Sequence, residues 1–541
     1  MRVNAGLSPR KACALELKWR NFVLDSEGGR PEMSSRDRNV LDRRGLLKSG
    51  AAAAAALSLE ALFGTSSSSA AIIAELEWSA AEVVAKIKSR AITAEAYCKL
   101  AVKAYEQHKQ INAITWFDES RVLEAAREID KAIASGRDPG ILAGLPIVVK
   151  DNIDTNGFPT TAGTPGLKDY RPKGNSPVVQ ALLKQGAILF GKTNMHELAQ
   201  GGTTNNPTWG PTRNPYDTKR IPGGSSGGTA AAIAARIVPA GLGTDTLGSV
   251  RIPAAFCGLA ALRPSIGPNR EYSLDGVVPL RLSMDTIGPV ARTVSDVALL
   301  HSAITGKPIA APTSIRGVRL GIPEQFYWQD IDPEVERVCR ESLSKLKDAG
   351  AVLVDVDVSS ILDANKIHWV FTDLRGDLSV WVKEHYPSLS YDALVENIKT
   401  EPVRMNWKAD PPPAAAREAA LASRERLIVA YQKLFEANSI SAIVYPTEMT
   451  TALLIRTAGD SPKDTVEIKG KSFTEAITTI RNTAATGVFN APGITIPVGL
   501  SRDGLPVGID FDGLMGGDVA LLSLARSAEN IFGKMSAPSL G

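Results

Sequence analysis

Two glycine-rich stretches of the chain place two serine residues in a setting that restricts both fold and chemistry. Residues 223–228 read GGSSGG, and residues 243–249 read GTDTLGS. Glycine adopts backbone angles that other residues avoid, and it lets another molecule approach the main chain closely. A serine hydroxyl on such a backbone, with main-chain N–H groups around it, provides the nucleophile and oxyanion donors that acyl transfer requires. The candidate serines are Ser225 and Ser249, and both need a base.

Lys150 is the candidate base, because it ends a short apolar run, Leu145–Val149, that predicts a buried strand. An exposed lysine, with a pKa of ~10.4, is almost wholly protonated at neutral pH and accepts no proton. Burial disfavours the charged form, and lowering the pKa by about 3 units corresponds to roughly 4 kcal/mol, which a desolvated site supplies. The alternative is a lysine that ends a strand and pairs with Asp151 or Asp154.

These motifs together resemble the amidase signature family of hydrolases. The resemblance is carried by KDN at 150–152, by GGSSGG and by GTDTLGSVR at 243–251, and it returns in NAPGITIP at 490–497 and GLPVG at 504–508. It implies one large α/β domain, a mixed β-sheet covered by helices on both faces.

The resemblance also implies a role for each candidate residue. Ser249 is the nucleophile, Ser225 lies on a cis peptide and relays a proton, and Lys150 is the ultimate base. The implied reaction is hydrolysis of a carboxylic amide through an acyl-enzyme, without cofactor or metal. The segments NMHELA at 194–199 and IPGGSSGGTAAAIAAR at 221–236 are most similar to the indoleacetamide and mandelamide hydrolase branch.

The chain departs from the family pattern just before the nucleophile. The family usually has two glycines there, whereas this chain has Leu247 and Gly248. The expected oxyanion donors are the backbone N–H groups of Thr246, Leu247 and Gly248 with that of Ser249, because every non-proline residue supplies one. The Leu247 side chain must point away from the substrate or narrow the pocket.

The substrate pocket is expected downstream of Lys150. The resemblance implies that its lining includes four consecutive residues, Ala199, Gln200, Gly201 and Gly202.

Two other functions remain open from the sequence. Residues 223–227 also fit the G-x-S-x-G nucleophile elbow of an α/β-hydrolase-type esterase, in which Ser225 would be the nucleophile and would require a downstream acid and histidine. Only His301, His368 and His385 follow it. The second alternative is a subunit resembling the amidotransferase A subunit, against which an export signal argues. A phosphate-binding P-loop matches the sequence less well still, because Gly228 is followed by Thr229 and Ala230 rather than by Lys and Ser/Thr.

The composition is that of an ordinary globular protein and restricts its partners. A net charge of +3, with no basic stripe interleaved with aromatics, gives no indication of nucleic acid binding. His196 has no partner at metal-ligand spacing, and Cys13, Cys98, Cys257 and Cys339 form no C-x-x-C pair. We expect a small-molecule amide substrate as the partner and leave a homodimer open.

The N-terminal part of the chain is predicted to be a targeting segment rather than part of the folded domain. Arg43 and Arg44 precede an alanine-rich apolar segment, residues 51–63, and a small-residue tract, residues 66–71. This order is typical of a twin-arginine export signal, and the segment is too short for stable membrane insertion. We therefore expect an extension of doubtful status at 1–32 (Met33 being an alternative start), a signal at 33–71, a catalytic domain at 72–541, and a periplasmic or secreted protein.

The rest of the chain alternates helical and strand patterns, which predicts an α/β sheet, and no linker divides it after residue 75. Predicted helices are Ala80–Tyr105, Glu119–Ser135, Ser176–Gln185, Gly228–Ala235, Pro333–Ala349 and Ala414–Asn438. Predicted strands are Leu145–Lys150, Ala187–Gly191, Ile237–Leu242, Val352–Val358 and Ala442–Tyr445.

Overall fold

A computed structural model describes residues 74–268, 270–308, 311–362 and 374–540. The predicted extension at 1–32 and signal at 33–71 lie outside these residues, as do positions 72 and 73. No helix within the described ranges is long and apolar enough to cross a membrane.

One eleven-stranded mixed sheet organises the described chain. Its strand order is β1-β3-β2-β6-β8-β7-β14-β15-β11-β9-β10, and β4–β5 and β12–β13 form two small antiparallel pairs. The strands are β1 Ile114–Phe117, β2 Pro146–Lys150, β3 Ile188–Thr193, β4 Asn205–Asn206, β5 Gly210–Pro211, β6 Ala240–Asp245, β7 Ala260–Arg263, β8 Thr286–Ala291, β9 Arg319–Ile322, β10 Val352–Asp355, β11 Ala442–Pro446, β12 Thr465–Ile468, β13 Lys471–Thr474, β14 Gly493–Leu500 and β15 Pro506–Asp512.

Helices flank this sheet and complete a single α/β domain, as predicted. They are α1 Ala80–Lys88, α2 Ala94–Gln107, α3 Glu119–Ala134, α4 Pro177–Lys184, α5 Gly227–Ala234, α6 Arg251–Phe256, α7 Val294–Thr305, α8 Pro333–Asp348, α9 Leu374–His385, α10 Tyr391–Asn397, α11 Glu401–Lys408, α12 Ala414–Asn438, α13 Glu475–Ile480, α14 Ala484–Val488 and α15 Asp518–Phe532.

The strand that carries Lys150 lies inside the sheet. β2 pairs in parallel with β3 on one side and with β6 on the other. Parallel strands covered on both faces read as continuous apolar runs, which explains why all five residues of β2 are buried. The carboxyl ends of β2 and β6 therefore meet at the same edge of the sheet, and Lys150 and the segment leading to Ser249 lie there.

Most predicted elements are confirmed within a few residues, but the first helix is wrong. The predicted Ala80–Tyr105 helix is two helices, α1 and α2. The first ends before Arg90, which adopts a left-handed φ of 61°, and the second is capped by Thr93, whose side chain accepts a hydrogen bond from Ala96 N–H. The predicted strand Ile237–Leu242 is displaced to Ala240–Asp245. Apolar spacing alone does not reveal such a break or shift, because the period continues across it.

A second apolar cluster lies beside the main core. Side chains of α9, α10 and α11, including Trp381 and Trp407, pack with Leu198, Ala199 and Tyr170. The buried carboxylate of Glu197 holds this helical group in place, because it accepts hydrogen bonds from the backbone N–H groups of Lys399 and Thr400, which lie between α10 and α11. Aromatic side chains thus share one apolar cluster with Ala199, the first residue of the segment predicted to line the pocket.

Candidate active site

Lys150 and Ser225 form the centre of the site. The Lys150 side chain is fully buried, and its Nζ donates hydrogen bonds to Ser225 Oγ at 2.7 Å and to Thr244 Oγ1 at 2.8 Å. Asn152 Nδ2 donates to the same Thr244 hydroxyl at 3.1 Å. Ser225 and Thr244 therefore hold the amine together through their hydroxyl groups.

The charge state of Lys150 follows from this environment. No carboxylate among the described residues forms an ion pair with it, and the Asp151 carboxylate pairs with Lys192 instead, at 3.1 Å. Burial lowers the pKa of Lys150 to about 7, although Asp245 and Asp285 act to raise it. A large fraction of the amine is thus neutral near pH 7 and accepts a proton.

Ser225 lies at the entrance to α5, after a cis peptide bond between Gly224 and Ser225. Its carbonyl accepts a hydrogen bond from the His196 backbone N–H at 3.1 Å. Gly224 leaves room for this approach, because a Cβ atom there would lie 2.8 Å from both Gly201 O and Thr203 N. The segment around the serine is thus packed directly against the predicted pocket residues.

Ser249 follows β6 and precedes α6, and it is 8% exposed. Its carbonyl accepts a hydrogen bond from Ser226 N–H at 3.1 Å, which joins the two serine-bearing segments through their main chains. Lys150 and Ser225 are therefore in direct contact, and Ser249 is linked to the residue after Ser225.

We call residues 246–249 the oxyanion turn, after the role predicted for them, and the N–H groups of these residues divide into two sets. Gly248 N–H donates to Asp245 Oδ1 at 2.7 Å. In contrast, no described residue accepts a hydrogen bond from the N–H of Thr246, Leu247 or Ser249. These three N–H groups can therefore donate to an acceptor from outside the chain. The finding departs from the predicted donor set, which included Gly248.

The carbonyls of the turn explain this division. Thr483 Oγ1 donates to Leu247 O at 2.7 Å, and Ile252 N–H donates to Gly248 O at 2.7 Å. Carbonyl and N–H of one trans peptide point in opposite directions. The Gly248 carbonyl shares its peptide with Ser249 N–H, and the Asp245 and Thr246 carbonyls, which accept hydrogen bonds from Arg263 Nη1 at 2.5 Å and 3.4 Å, share theirs with the N–H groups of Thr246 and Leu247. These three N–H groups therefore point away from the side chains and N–H groups that bind the carbonyls, whereas the Leu247 carbonyl shares its peptide with the Gly248 N–H that Asp245 binds. The Leu247 side chain packs against the main apolar core, which is how the turn accommodates it.

The predicted pocket residues form a tightly packed loop beside Ser225. We call residues 199–202 the pocket loop. Ala199 is buried with φ of 58°, and Gln200 has a buried Oε1 without a hydrogen-bond partner among the described residues. A Cβ atom at Gly201 would lie 2.3 Å from His196 Nε2, and one at Gly202 would lie 2.4 Å from Thr479 Oγ1. Both glycines are therefore required by close packing.

A buried ionic network supports the oxyanion turn and was not predicted from the sequence. Asp245 accepts hydrogen bonds from Arg251 Nε at 3.1 Å and from Arg263 Nη1 at 3.2 Å, and Arg251 also pairs with Asp510 at 3.0 Å. Burial raises the pKa of Asp245, but the two arginines outweigh it and the net pKa is lowered. A local signal existed in DTLGSVR, whereas Asp510 lies far away in the chain.

Asp285 is a second carboxylate that sequence reasoning missed. Its Oδ1 accepts a hydrogen bond from Thr246 Oγ1 at 2.5 Å, and burial raises its pKa to about 6. It therefore contacts the side chain of the first residue of the oxyanion turn.

The nucleophile-elbow alternative finds no support in the placement of the histidines. His301 Nδ1 is bonded to Tyr272 Oη at 3.0 Å, and His385 Nδ1 to the Trp381 carbonyl at 3.0 Å. His368 lies outside the described residues. The candidate base in contact with Ser225 is Lys150.

The fold and these contacts define an α/β enzyme whose site is built around a buried lysine–serine pair. The amidase family model matches residues 95–522. The chain belongs to the amidase family, and it is a hydrolase of amide C–N bonds.

The proteins similar to this chain match it over most of its length. The chain is 35% identical over 481 residues to mandelamide hydrolase from Pseudomonas putida, covering 85% of this chain and 92% of that protein. It is 33% identical over 445 residues to indoleacetamide hydrolase from Agrobacterium vitis, covering 80% and 93%. A solved amidase structure superposes with a TM-score of 0.76 at 29% identity, covering 84% of this chain and all of that one.

Proposed function

We propose that the protein hydrolyses a carboxylic amide to a carboxylate and ammonia or an amine through an acyl-enzyme on Ser249. Ser225 relays protons between Ser249 and Lys150 in this mechanism. The observation that carries the proposal is the 2.7 Å hydrogen bond between Lys150 Nζ and Ser225 Oγ, in a buried site that lowers the pKa of the lysine to about 7.

In the first half-reaction, Ser249 Oγ adds to the amide carbonyl carbon. Its proton passes to Ser225 Oγ while the Ser225 proton passes to Lys150 Nζ. The carbonyl oxygen becomes an oxyanion that accepts hydrogen bonds from the free N–H groups of the oxyanion turn. The relay then reverses, the leaving nitrogen takes the proton, the C–N bond breaks and an ester on Ser249 remains.

In the second half-reaction, water replaces the amine. The relay removes a proton from water as its oxygen adds to the ester carbonyl, and the proton returns to Ser249 Oγ as the C–O bond breaks. The products are the free serine and the carboxylic acid, which ionises at neutral pH.

We further propose an amide with an aryl group on its acyl side as the substrate class. Aromatic side chains of the second apolar cluster, Tyr170 and Trp381 among them, pack in the same cluster as Ala199 of the pocket loop. The names of the relatives agree with this choice, since mandelamide and indoleacetamide both carry aromatic acyl groups.

We also propose export of the protein by the twin-arginine route to the periplasm or the medium. Arg43, Arg44 and the apolar segment that follows support this proposal, and a catalytic domain beginning near residue 72 is consistent with it.

A panel of aryl, arylacetic and aliphatic amides, with released ammonia measured, tests the reaction and the substrate class. We expect turnover of arylacetic amides by the parent protein and none by Ser249→Ala. Turnover of aliphatic amides alone would contradict the aryl preference. Stable co-purification with partner subunits, without amide turnover by the isolated chain, would favour the amidotransferase alternative.

A further inference from the structure

The peptide unit between Leu247 and Gly248 is held at both ends. Its carbonyl accepts a hydrogen bond from Thr483 Oγ1 at 2.7 Å, and its N–H donates to Asp245 Oδ1 at 2.7 Å. A peptide plane bound on both sides cannot rotate without losing a hydrogen bond. The N–H groups of Leu247 and Ser249 belong to the two neighbouring peptide units, which share the Cα atoms of Leu247 and Gly248 with this one, so fixing this unit restricts the directions that they can take.

We propose that Thr483 is a positioning residue for the oxyanion turn, acting through the Leu247 carbonyl on the N–H groups that stabilise the tetrahedral intermediate. The inference rests on the proposed function of Ser249. It assigns a role in the reaction to a residue that lies between α13 and α14, far from the nucleophile in the chain.

Thr483 is well placed to hold the turn, because it is itself held firmly. The residue is fully buried, and its carbonyl accepts a hydrogen bond from Arg251 Nη2 at 2.9 Å. Arg251 in turn pairs with Asp245, which holds the other end of the same peptide. Thr483 is thus connected to the turn through both its side chain and its main chain.

The absence of a side chain at Gly248 makes this contact possible. A Cβ atom there would lie 2.1 Å from Thr483 Oγ1, and the residue has φ of 122°, which L side chains rarely adopt. The threonine hydroxyl therefore occupies the space that this glycine leaves open. The same packing explains why position 248 requires glycine whereas position 247 accepts leucine.

The expected effect is specific to the transition state. Oxyanion donors bind the charged oxygen more strongly than the neutral carbonyl, so misalignment lowers kcat while KM changes little. Removing an oxyanion donor outright costs about 10²–10³ in kcat. Loosening the donors costs less, and we expect a decrease of about 10-fold.

The test compares Thr483→Val, which removes the hydroxyl at similar volume, with Thr483→Ser, which keeps it. Thr478→Val is the matched control, because Thr478 is also buried and its Oγ1 donates only to Thr474 O of the same helical segment. Each variant is measured for kcat, KM and inhibition by an arylmethyl trifluoromethyl ketone. The serine nucleophile adds to the carbonyl of this ketone, and the adduct is a tetrahedral oxyanion that resembles the intermediate of the reaction. Thermal unfolding is recorded for each, and Thr483→Ala replaces Thr483→Val if the latter fails to fold.

We expect Thr483→Val to lower kcat and the affinity for the ketone by similar factors of about 10, with KM within about 3-fold of the parent. Thr483→Ser and Thr478→Val should stay close to the parent. Unchanged ketone affinity in Thr483→Val, or equal losses in all three variants, would overturn the inference. If the parent turns over amides and Ser249→Ala does not, this result leaves the proposed function standing, whereas an inactive parent or an active Ser249→Ala overturns both.

Discussion

Lys150 and Asp151 are adjacent in the chain, yet the Asp151 carboxylate pairs with Lys192 at 3.1 Å and not with Lys150. Thr161 also donates a hydrogen bond to that carboxylate. Successive residues at a strand end point to opposite sides, so the two side chains enter different environments. Lys150 is left among hydroxyl groups, where burial dominates its pKa, and this makes it suitable as a base.

The first prediction concerns the pH dependence of activity. Because the neutral amine is the active form, kcat/KM should rise with pH along one limb with an apparent pKa near 7, the value to which burial lowers Lys150. Lys150→Ala should lose about 10²–10⁴ in kcat/KM, and Lys150→Arg should not rescue it because arginine stays protonated. An unchanged limb in Lys150→Ala would assign the base to another residue.

The second prediction assigns the nucleophile by covalent labelling. A fluorophosphonate should label Ser249 in the parent, Ser249→Ala should lose all labelling, and Ser225→Ala should be labelled more slowly, because only the proton relay is damaged. Peptide mapping of the adduct by mass spectrometry gives the site. An adduct on Ser225 would support the nucleophile-elbow alternative instead.

The third prediction concerns stability. Lys150 in the unfolded chain keeps its proton up to a pKa near 10.5, whereas the folded protein releases it near 7, so folding between these pH values costs about 1.4 kcal/mol for each pH unit below 10.5. Lys150→Met removes this cost and should raise the free energy of unfolding at pH 7.5 by about 1–3 kcal/mol, after the loss of its hydrogen bonds. Urea unfolding at several pH values measures it.

The pH dependence of the stability difference between the parent and Lys150→Met provides a control. The contribution of Lys150 to stability is fully present above pH 10.5 and is lost as pH falls towards 7, so the advantage of Lys150→Met should shrink as pH rises. An advantage that is constant with pH would show that packing, rather than the buried amine, is responsible.

The fourth prediction concerns the pocket loop. In Gly201→Ala the new methyl group would meet the His196 ring at 2.3 Å, so the loop must shift, and we expect KM to rise by about 10-fold. Gly174→Ala is the matched control, because no atom lies within 4 Å of a Cβ at that position.

A double-mutant cycle isolates this contact. In a His196→Ala background, which removes the ring, Gly201→Ala should cost clearly less than in the parent. Equal costs in both backgrounds would show that His196 is not what constrains Gly201.

The fifth prediction concerns export. Replacing Arg43 and Arg44 together by lysine should retain the protein in the cytoplasm of a host with a twin-arginine system, because that route reads the arginine pair. Fractionation and N-terminal sequencing of the exported protein, expected to begin near Ala70 or Ala71, provide the measurement. Normal export of the double variant would exclude this route.

Local chemistry explains what could be predicted from the sequence. The apolar run before Lys150 indicated a buried strand, because a strand covered on both faces cannot carry polar residues until its end. Ser176 indicated the start of a helix, and its side chain accepts the N–H of Val179 in the following turn. The glycines around Ser225 and Ser249 indicated close backbone approach, which the packing at Gly224 and Gly248 requires.

The partners of these residues were decided only by the tertiary structure. Periodicity shows which side of an element is buried, but not which atom from another part of the chain faces it. The ion pair of Asp151 with Lys192, the capture of Gly248 N–H by Asp245, and the hydrogen bond from Thr483 all depend on how distant segments meet. The sequence by itself determined which groups could perform the chemistry, whereas their charge state and direction came from burial and from these non-local hydrogen bonds.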